Sequence, residues 1–386
     1  MRINAVICEY NPFHNGHKYQ LEKIKKNNNL PVAAIMSGNF TQRGDVAIAD
    51  KFARAEAAVR NGADLVIELP AAYACSNAEN FAGAGVKIAA ALGCTENLCF
   101  SVEEDNPELL IKAAELFSDE SFNREVKALM KDGLYYPLAV ERAFNKIAPK
   151  LAEAVAKPNN ILAVEYLKAL AGTEIKPMII KRKGSNHDSK IITDGISSAS
   201  NIRRMIIDGE NYRGLLPENA SAFPSPADIK KLEKPIVYKL RTMSPDDFNN
   251  LPEVSEGLNN RIYDAVRNYN SVKEIIDAVK TKRYTHARIR RTIIHALLGI
   301  TKDEMKREVP YIRVLAFNET GAKILGEIKK AGRLPIITNV ADGYKSLDEN
   351  ARRIFDIDLK ASDIYSLASD KITPCGIDFT RPLKKL

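Results

Sequence analysis

Short apolar runs alternate with amphipathic stretches along the first hundred residues. Ile3 to Cys8 is an apolar run of strand length. Asn15 to Lys26 sets Leu21 and Ile24 on one side and Lys23, Lys25 and Lys26 on the other, which is helical spacing. Pro31 to Met36 is a second apolar run, and Asp50 to Asn61, rich in Ala, Arg and Glu, predicts a helix stopped by Gly62. Leu65 to Leu69, closed by Pro70, is a third strand. Ala82 to Leu92 is a helix ended by Gly93, and Leu98 to Val102 is a fourth strand. This alternation predicts a parallel, doubly wound sheet. Helical stretches follow from Pro107 to Leu170, and Pro177 to Lys181 has the pattern of a returning strand.

The pattern then changes. Leu215 to Pro235 holds Pro217, Pro224, Pro226 and Pro235 with Ser and Ala between them, a linker composition. Ser271 to Leu298 is largely helical. Pro310 to Phe317 predicts a strand, Thr320 to Lys330 a helix and Leu334 to Val340 another strand. The expected fold class is α/β: a Rossmann-like parallel sheet with helical insertions over residues 1–214, a Pro-rich linker over 215–235, and a helical plus smaller α/β C-terminal domain over 236–386. There is no fixed-period repeat and no low-complexity tract.

Composition narrows the class without choosing a function. At about 150 residues per domain, a chain of 386 allows two or three domains. Hydrophobic residues make up 45% and charged residues 27%, which excludes wholesale disorder. No apolar run approaches the ~18–20 residues of a membrane span. MRINAVICEY turns polar too soon for a signal peptide, so a cytosolic protein with no membrane partner is expected. The 5 cysteines are odd in number and scattered. Cys94 and Cys99 lack a second pair to complete a zinc site, so all are expected as reduced thiols. The 57 Lys and Arg against 49 Asp and Glu leave +8, which suits a protein that meets phosphate or RNA and also many that meet neither.

Candidate chemistry begins directly after the first strand, with Glu9-Tyr10-Asn11-Pro12-Phe13-His14-Asn15-Gly16-His17 opening the first helix. Ligands of open parallel sheets bind beyond the carboxyl ends of the strands, and a helix N-terminus favours phosphate. His14 and His17, three apart, can share one face of the first turn, and Gly16 removes a side chain between them. Two imidazoles beside an α-phosphate can donate hydrogen bonds to charge that builds as pyrophosphate leaves. The alternatives are a pair of helix-capping histidines, or a metal site that no nearby Cys or carboxylate completes; no metal ligands are assigned. A second motif, Ile196-Ser197-Ser198-Ala199-Ser200-Asn201-Ile202-Arg203, offers small hydroxyls at Ser198 and Ser200 and a fixed cation at Arg203, beside the plainer reading of a capped helix.

His-x-Gly-His followed far downstream by Ser-x-Ser-x-Ile-Arg resembles the nucleotidyltransferase superfamily. Longer strings narrow this: EYNPFHNGHKYQL, MSGNFTQRGDVAIADKFAR (Met36 to Arg54), GADLVIELP (Gly62 to Pro70), KPNNILAVEYLKA (Lys157 to Ala169) and KRYTHARIRR (Lys282 to Arg291) are similar to the bacterial tRNA(Met) cytidine acetate ligases. The resemblance touches most of the chain. It implies an enzyme that joins acetate to ATP as acetyl-adenylate and passes the acetyl group to N4 of the wobble cytidine of elongator tRNA(Met). It implies that ATP is held by the stretch Ile7, Cys8, Glu9, Tyr10, Asn11, Pro12, Phe13, His14, Asn15, Gly16, His17, Lys18, Tyr19 and Gln20, with Asn159, Asn160 and Arg182. Two positions depart from the family pattern: Ser101 stands where glycine is usual, close to the nucleotide, and Ser185-Asn186-His187-Asp188 stands where Tyr-His-Asp is usual.

Further candidates follow from position. Ser37-Gly38-Asn39 ends the second strand and suits either a ligand loop or an ordinary turn. Arg43, Lys51 and Arg54 are cations near that edge, any of which could hold acetate or phosphate or lie on a solvated helix face. Asn159 and Asn160 can cap a helix or touch nucleotide. Arg283, Tyr284, Arg288, Arg290 and Arg291 form a basic helix that suits an RNA backbone, or a solvated, internally paired face. His295 fits the core. The mechanism expected is attack of acetate oxygen on the α-phosphorus, with His14 and His17 stabilising the transition state and Ser198 and Arg203 gripping pyrophosphate with Mg²⁺. Competing readings are an adenylyltransferase for a small metabolite and an RNA-binding protein with a degenerate nucleotide site.

Overall fold

The computed structural model describes residues 1–182, 192–220, 223 and 225–386. In chain order the N-terminal part contains β1 (Ile3–Cys8), α1 (Asn15–Asn28), β2 (Val32–Ser37), β3 (Phe40–Thr41), β4 (Asp45–Val46), α2 (Lys51–Arg60), β5 (Leu65–Leu69), α3 (Ala71–Ala74), α4 (Ala78–Ala91) and β6 (Thr95–Val102). A helical insertion follows: α5 (Glu108–Leu116), α6 (Glu120–Lys131), α7 (Tyr136–Ile147), α8 (Pro149–Val155) and α9 (Pro158–Leu170). Then come β7 (Lys176–Lys181) and α10 (Ala199–Asp208).

The parallel strands β5, β2, β1, β6 and β7 form the expected doubly wound core. β1, β2 and β5 are buried along almost their whole length because helices cover both sides, whereas the edge strand β7 is partly exposed. α1 closes one side with Leu21 and Ile24, and α4 closes the other with Phe81, Val86 and Ile88. Asp50 caps α2 by accepting from the amides of Phe52 and Ala53, which satisfies donors the helix itself cannot.

The C-terminal part contains α11 (Glu233–Arg241), α12 (Pro245–Asn249), α13 (Leu258–Asn268), α14 (Val272–Val279), α15 (His286–Leu298) and α16 (Lys302–Met305). After them come β8 (Ile312–Phe317), α17 (Glu319–Ala331), β9 (Ile336–Ile337), α18 (Val340–Ser346), α19 (Glu349–Ser366), α20 (Ile377–Thr380) and β10 (Lys384–Lys385). The expected C-terminal strands form, but on the same sheet as the N-terminal ones. β8 pairs antiparallel with β5, and β9 and β10 pair with β8. An open sheet edge at β5 exposes unpaired backbone groups, and β8 satisfies them. The run from Leu334 to Val340 forms only the two-residue β9, because Asn339 caps α18 through the Asp342 amide.

Residues 215–220 and 226–232 are packed, not extended. Leu215 and Leu216 sit in a cluster with Ile48, Ile202 and Ile206, and the Ala227 amide donates to Ile48 O at 3.0 Å. Among the described residues no helix is long and apolar enough to cross a membrane.

Candidate active site

A cavity of about 630 Å³ opens beyond the carboxyl ends of β1 and β6. Two helix N-termini meet there. His14 is the N-cap of α1, and its Nδ1 accepts from the Gly16 amide at 3.0 Å. His17 Nδ1 accepts in return from the His14 amide at 3.3 Å. The rings stack with centroids 3.7 Å apart. Burial, together with the Arg182 and Arg203 charges, lowers the pKa of His14 to about 3. Burial, then His14 and Arg182, push His17 well below its ordinary value. Both rings are therefore neutral at physiological pH. Since each Nδ1 accepts, each proton resides on Nε2. The pair offers two N–H donors and no net charge. Gly16 is required because a Cβ there would lie 2.8 Å from the His14 ring.

The second motif forms the N-terminus of α10. Ser198 is the N-cap, accepting from the Asn201 amide at 3.2 Å, and is buried; it does not line the cavity. The lining hydroxyls are those of Ser197 and Ser200, and Ser200 Oγ lies 3.2 Å from Ser198 Oγ. Ser198, the hydroxyl expected to grip pyrophosphate, is thus spent on capping α10, and its neighbour Ser200 is the one that lines the cavity. Arg203 lines the cavity, and its Nη1 donates to Asn11 O at 2.7 Å, tying α10 to the first motif. Asn15 Nδ2 adds bonds of 3.0 Å to both Gly195 O and Gly214 O.

Most of the expected nucleotide stretch lines the cavity: Ile7, Cys8, Glu9, Tyr10, Asn11, His14, Gly16, His17, Tyr19 and Gln20. Four residues of it do not. Pro12 and Phe13 are buried, with Phe13 4.8 Å from the Tyr10 ring centroid; Asn15 is spent on the α10 loop; Lys18 is exposed. Ser101 lines the cavity and accepts from Gln20 Nε2 at 2.9 Å, so the departure from glycine adds a hydrogen bond at the wall. Asn159 and Arg182 line it as well. Asn160 does not: fully buried, it bridges the Glu103 amide and Ala154 O. Sequence reasoning missed the aromatic wall of Phe81, Phe100 and Tyr166. Phe100 and Tyr166, with centroids 5.4 Å apart, suit the flat face of a base, and their even spacing with core residues hid them. His187 and its neighbours lie outside the described residues.

The cations near the second strand divide. Arg43 lines the cavity. Lys51 does not; it is buried and bonded to Glu68 and Asp378. Arg54 is also buried, and its guanidinium binds the carbonyls of Glu9, Ser37, Gly38 and Ala49, fixing the ends of β1 and β2. Ser37 and Asn39 are buried, and Asn39 accepts from the Lys51 amide at 2.8 Å, so that loop is structural.

The basic segment divides too. Arg283 and Arg290 are exposed. Tyr284 is buried, donating to Glu256 O at 2.6 Å. Arg288 donates to Glu253 O, and Arg291 forms a buried bidentate pair with the Glu253 carboxylate at 2.6 and 2.7 Å. Three of the five expected RNA contacts are thus spent inside the fold, whereas His295 is the buried core residue expected. Glu9 is the one acidic residue among the described lining residues, and no cluster of metal ligands occurs among the described residues.

A model of the HIGH Nucleotidyl Transferase family matches residues 1–376. The chain is 41% identical, over the full length of both, to the tRNA(Met) cytidine acetate ligase of Thermoanaerobacter sp. (strain X514). Its fold is similar to crystal structures of Thermotoga maritima TmcAL. The apo form gives a TM-score of 0.94 and the form bound with alpha-thio ATP 0.91, each at 30% identity with full coverage of both chains.

Proposed function

Because this chain belongs to the HIGH nucleotidyltransferase family across its length, we propose that it is an ATP-dependent tRNA(Met) cytidine acetate ligase. The observation that carries the chemistry is the convergence of two capped helix N-termini, α1 and α10, on a cavity that holds a neutral histidine pair and Arg203. The site favours a polyphosphate, and the ATP analogue in the similar TmcAL crystal structure supports this.

The first half-reaction is attack of an acetate oxygen on the α-phosphorus. The P–O bond to pyrophosphate breaks as the acyl phosphate bond forms. The Nε2–H groups of His14 and His17 donate to the α-phosphoryl oxygens as their charge grows, and the α1 N-terminus adds its dipole. Ser200 and Arg203 hold the departing pyrophosphate. Mg²⁺ would travel with the triphosphate, keeping most of its water, since the described lining residues include one carboxylate, Glu9; it would neutralise phosphate charge. The adenine lies against the Phe100–Tyr166 wall.

In the second half-reaction the wobble cytidine N4 of elongator tRNA(Met) attacks the acetyl carbonyl. AMP leaves with the bonding pair and N4 loses one proton. No covalent enzyme intermediate is needed. Exposed Arg283 and Arg290 contact the tRNA backbone. We assign the ATP chemistry to residues 1–214 and the tRNA contribution to 236–386, a division of roles within one shared sheet. A tRNA-modifying activity belongs in the cytoplasm with its substrate.

The test is transfer of labelled acetate to unmodified elongator tRNA(Met) with ATP, with a transcript lacking the wobble cytidine as control. ATP-dependent label on the first alone is expected. Absence of label from folded protein that binds ATP would overturn the reading.

A further inference from the structure

The cavity does not end at the phosphate-binding residues. It continues between the β3–β4 hairpin and the start of α15, where Gln42, Arg43, Thr285 and Ala287 line it. Adenylation as derived above uses none of the four. We propose that this lobe receives the acceptor base, a cytosine turned out of a single-stranded loop, and that the side-chain amide of Gln42 engages its Watson–Crick edge. This inference rests on the ligase reading and extends it to the acceptor.

The backbone of Gln42 is held on both sides. Its N–H donates to Glu9 Oε1 at 2.8 Å, and its carbonyl accepts from Arg291 Nη1 at 3.5 Å. Gly44, at φ +72°, lets the hairpin rest on α15: a Cβ there would lie 2.5 Å from the Arg291 amide nitrogen. Between these fixed points the Gln42 side-chain amide, half-buried, has no hydrogen-bond partner among the described residues. With its backbone fixed and its side chain at the cavity wall, Gln42 can offer its amide to a ligand at little cost in ordering.

The chemistry of the amide matches one edge of cytosine. Its carbonyl can accept one N4–H while its NH₂ donates to N3. Those bonds lie in the plane of the ring, so a face of N4 stays open to the acyl carbon. Orientation matters here because an aromatic amine is a poor nucleophile and gains most from being held in place. The lobe also adjoins the first motif: Gln42 sits on Glu9, and Arg203 binds Asn11 O two residues on. Outside the lobe, Arg290 lies one turn from Ala287 on the same helix face, and Arg283 directly precedes the Tyr284–Thr285 corner; both cations are exposed. A nucleotide whose phosphates rest on them can turn its base inward.

The experiment separates the half-reactions. Gln42→Ala should retain acetate-dependent ATP–pyrophosphate exchange within about twofold, while acetyl transfer to tRNA falls about ten- to hundredfold, the size of one lost bidentate base contact. In equilibrium binding, the wild-type protein should hold an anticodon hairpin with the wobble cytidine about tenfold more tightly than the same hairpin with an abasic wobble position. Gln42→Ala should bind the two alike. Equal losses in exchange and transfer, unchanged transfer, or a preserved preference over the abasic hairpin would each overturn the inference. If the wild-type protein itself shows neither acetate-dependent exchange nor transfer, it is the ligase reading that fails.

Discussion

His14 and His17 each spend Nδ1 on an α1 backbone amide, so each can be changed in a way that separates capping from catalysis. An asparagine oxygen reaches roughly where Nδ1 sits but supplies nothing at the Nε2 position. His17→Asn should keep the fold, because the cap survives, and lose about 100- to 1000-fold in exchange rate, the cost of one transition-state donor. His17→Ala would confuse that loss with about 1 kcal/mol of helix capping. The pH dependence follows from the lowered pKa values. From the ordinary value of 6.5 down to about 3, the unfolded chain takes up a proton at His14 that the folded chain refuses. Stability therefore rises with pH across that window and is flat with respect to this group above it. His14→Asn, which keeps an N-cap, should narrow the gap between melting temperatures at pH 5 and pH 8; an unchanged gap would mean that His14 is charged in the fold. At this scale the sequence revealed the motifs but not which atom does what. Ser198 and Ser200 look alike in Ser-x-Ser, and only the start of α10 makes one a cap and the other a lining hydroxyl. Likewise Arg43, Lys51 and Arg54 are equal as cations in the sequence. Whether a cation meets phosphate, a carboxylate or carbonyls depends on chain segments far away.

Elements were legible where periodicity is long and one face is buried. β1, β5 and α2 fall within a residue or so of the pattern because their apolar spacing has one solution on a doubly wound sheet. The β3–β4 hairpin was not, since two-residue strands carry no period. Nor was the antiparallel seat of β8 beside β5, because strand pairing is decided by which edge is open rather than by the strand's own residues. The hairpin is nevertheless what connects the first motif to α15. Gly44→Ala forces both a positive φ and a close approach to α15, and should cost about 1–3 kcal/mol in urea unfolding. Transfer should suffer more than exchange, because the hairpin moves relative to α15 before α1 is disturbed. At and just before α15, replacing exposed Arg290 and Arg283 by Gln should weaken tRNA binding and lower the slope of log affinity against log salt by about one to two. Arg288 and Arg291 are poor substitutes for that test, because Glu253 already holds them and their loss would unseat the helix.

At the scale of the molecule, the two halves share an apolar core and the β5–β8 pairing, and a ring of charge is buried within that seam. Lys51 on α2, Glu68 on β5, Arg313 on β8 and Asp378 on α20 lie buried together. Lys51 Nζ lies 2.8 Å from Glu68 and 3.0 Å from Asp378, and Arg313 lies 3.0 Å from Glu68 and 2.7 Å from Asp378. Each cation thus faces two carboxylates and each carboxylate two cations, so the ring is neutral as a whole and intolerant of any single loss. Burial alone would raise the Asp378 pKa, but Lys51 and Arg313 hold it below the carboxylate range. Asp358 beside the ring moves the other way, raised by burial and by the Glu68 charge, while its carboxylate accepts from the Ala71 amide and the Tyr311 hydroxyl. Asp378→Asn should therefore destabilise by about 3–5 kcal/mol, since two buried cations would share one carboxylate. Replacing Lys51 and Asp378 together by Met and Leu removes one charge of each sign and should cost much less than the two single changes summed. Strict additivity in urea unfolding would show that the charges act separately. The loop after β2 packs directly on the ring: a Cβ at Gly38 would lie 2.5 Å from Glu68 Oε1. The same loop gives its carbonyls to Arg54, which also holds Glu9. Displacing Glu68 should consequently reach the cavity through Arg54, so that Asp378→Asn lowers exchange activity at temperatures well below its melting point. If exchange at such temperatures is unchanged, the ring joins the halves without supporting the site.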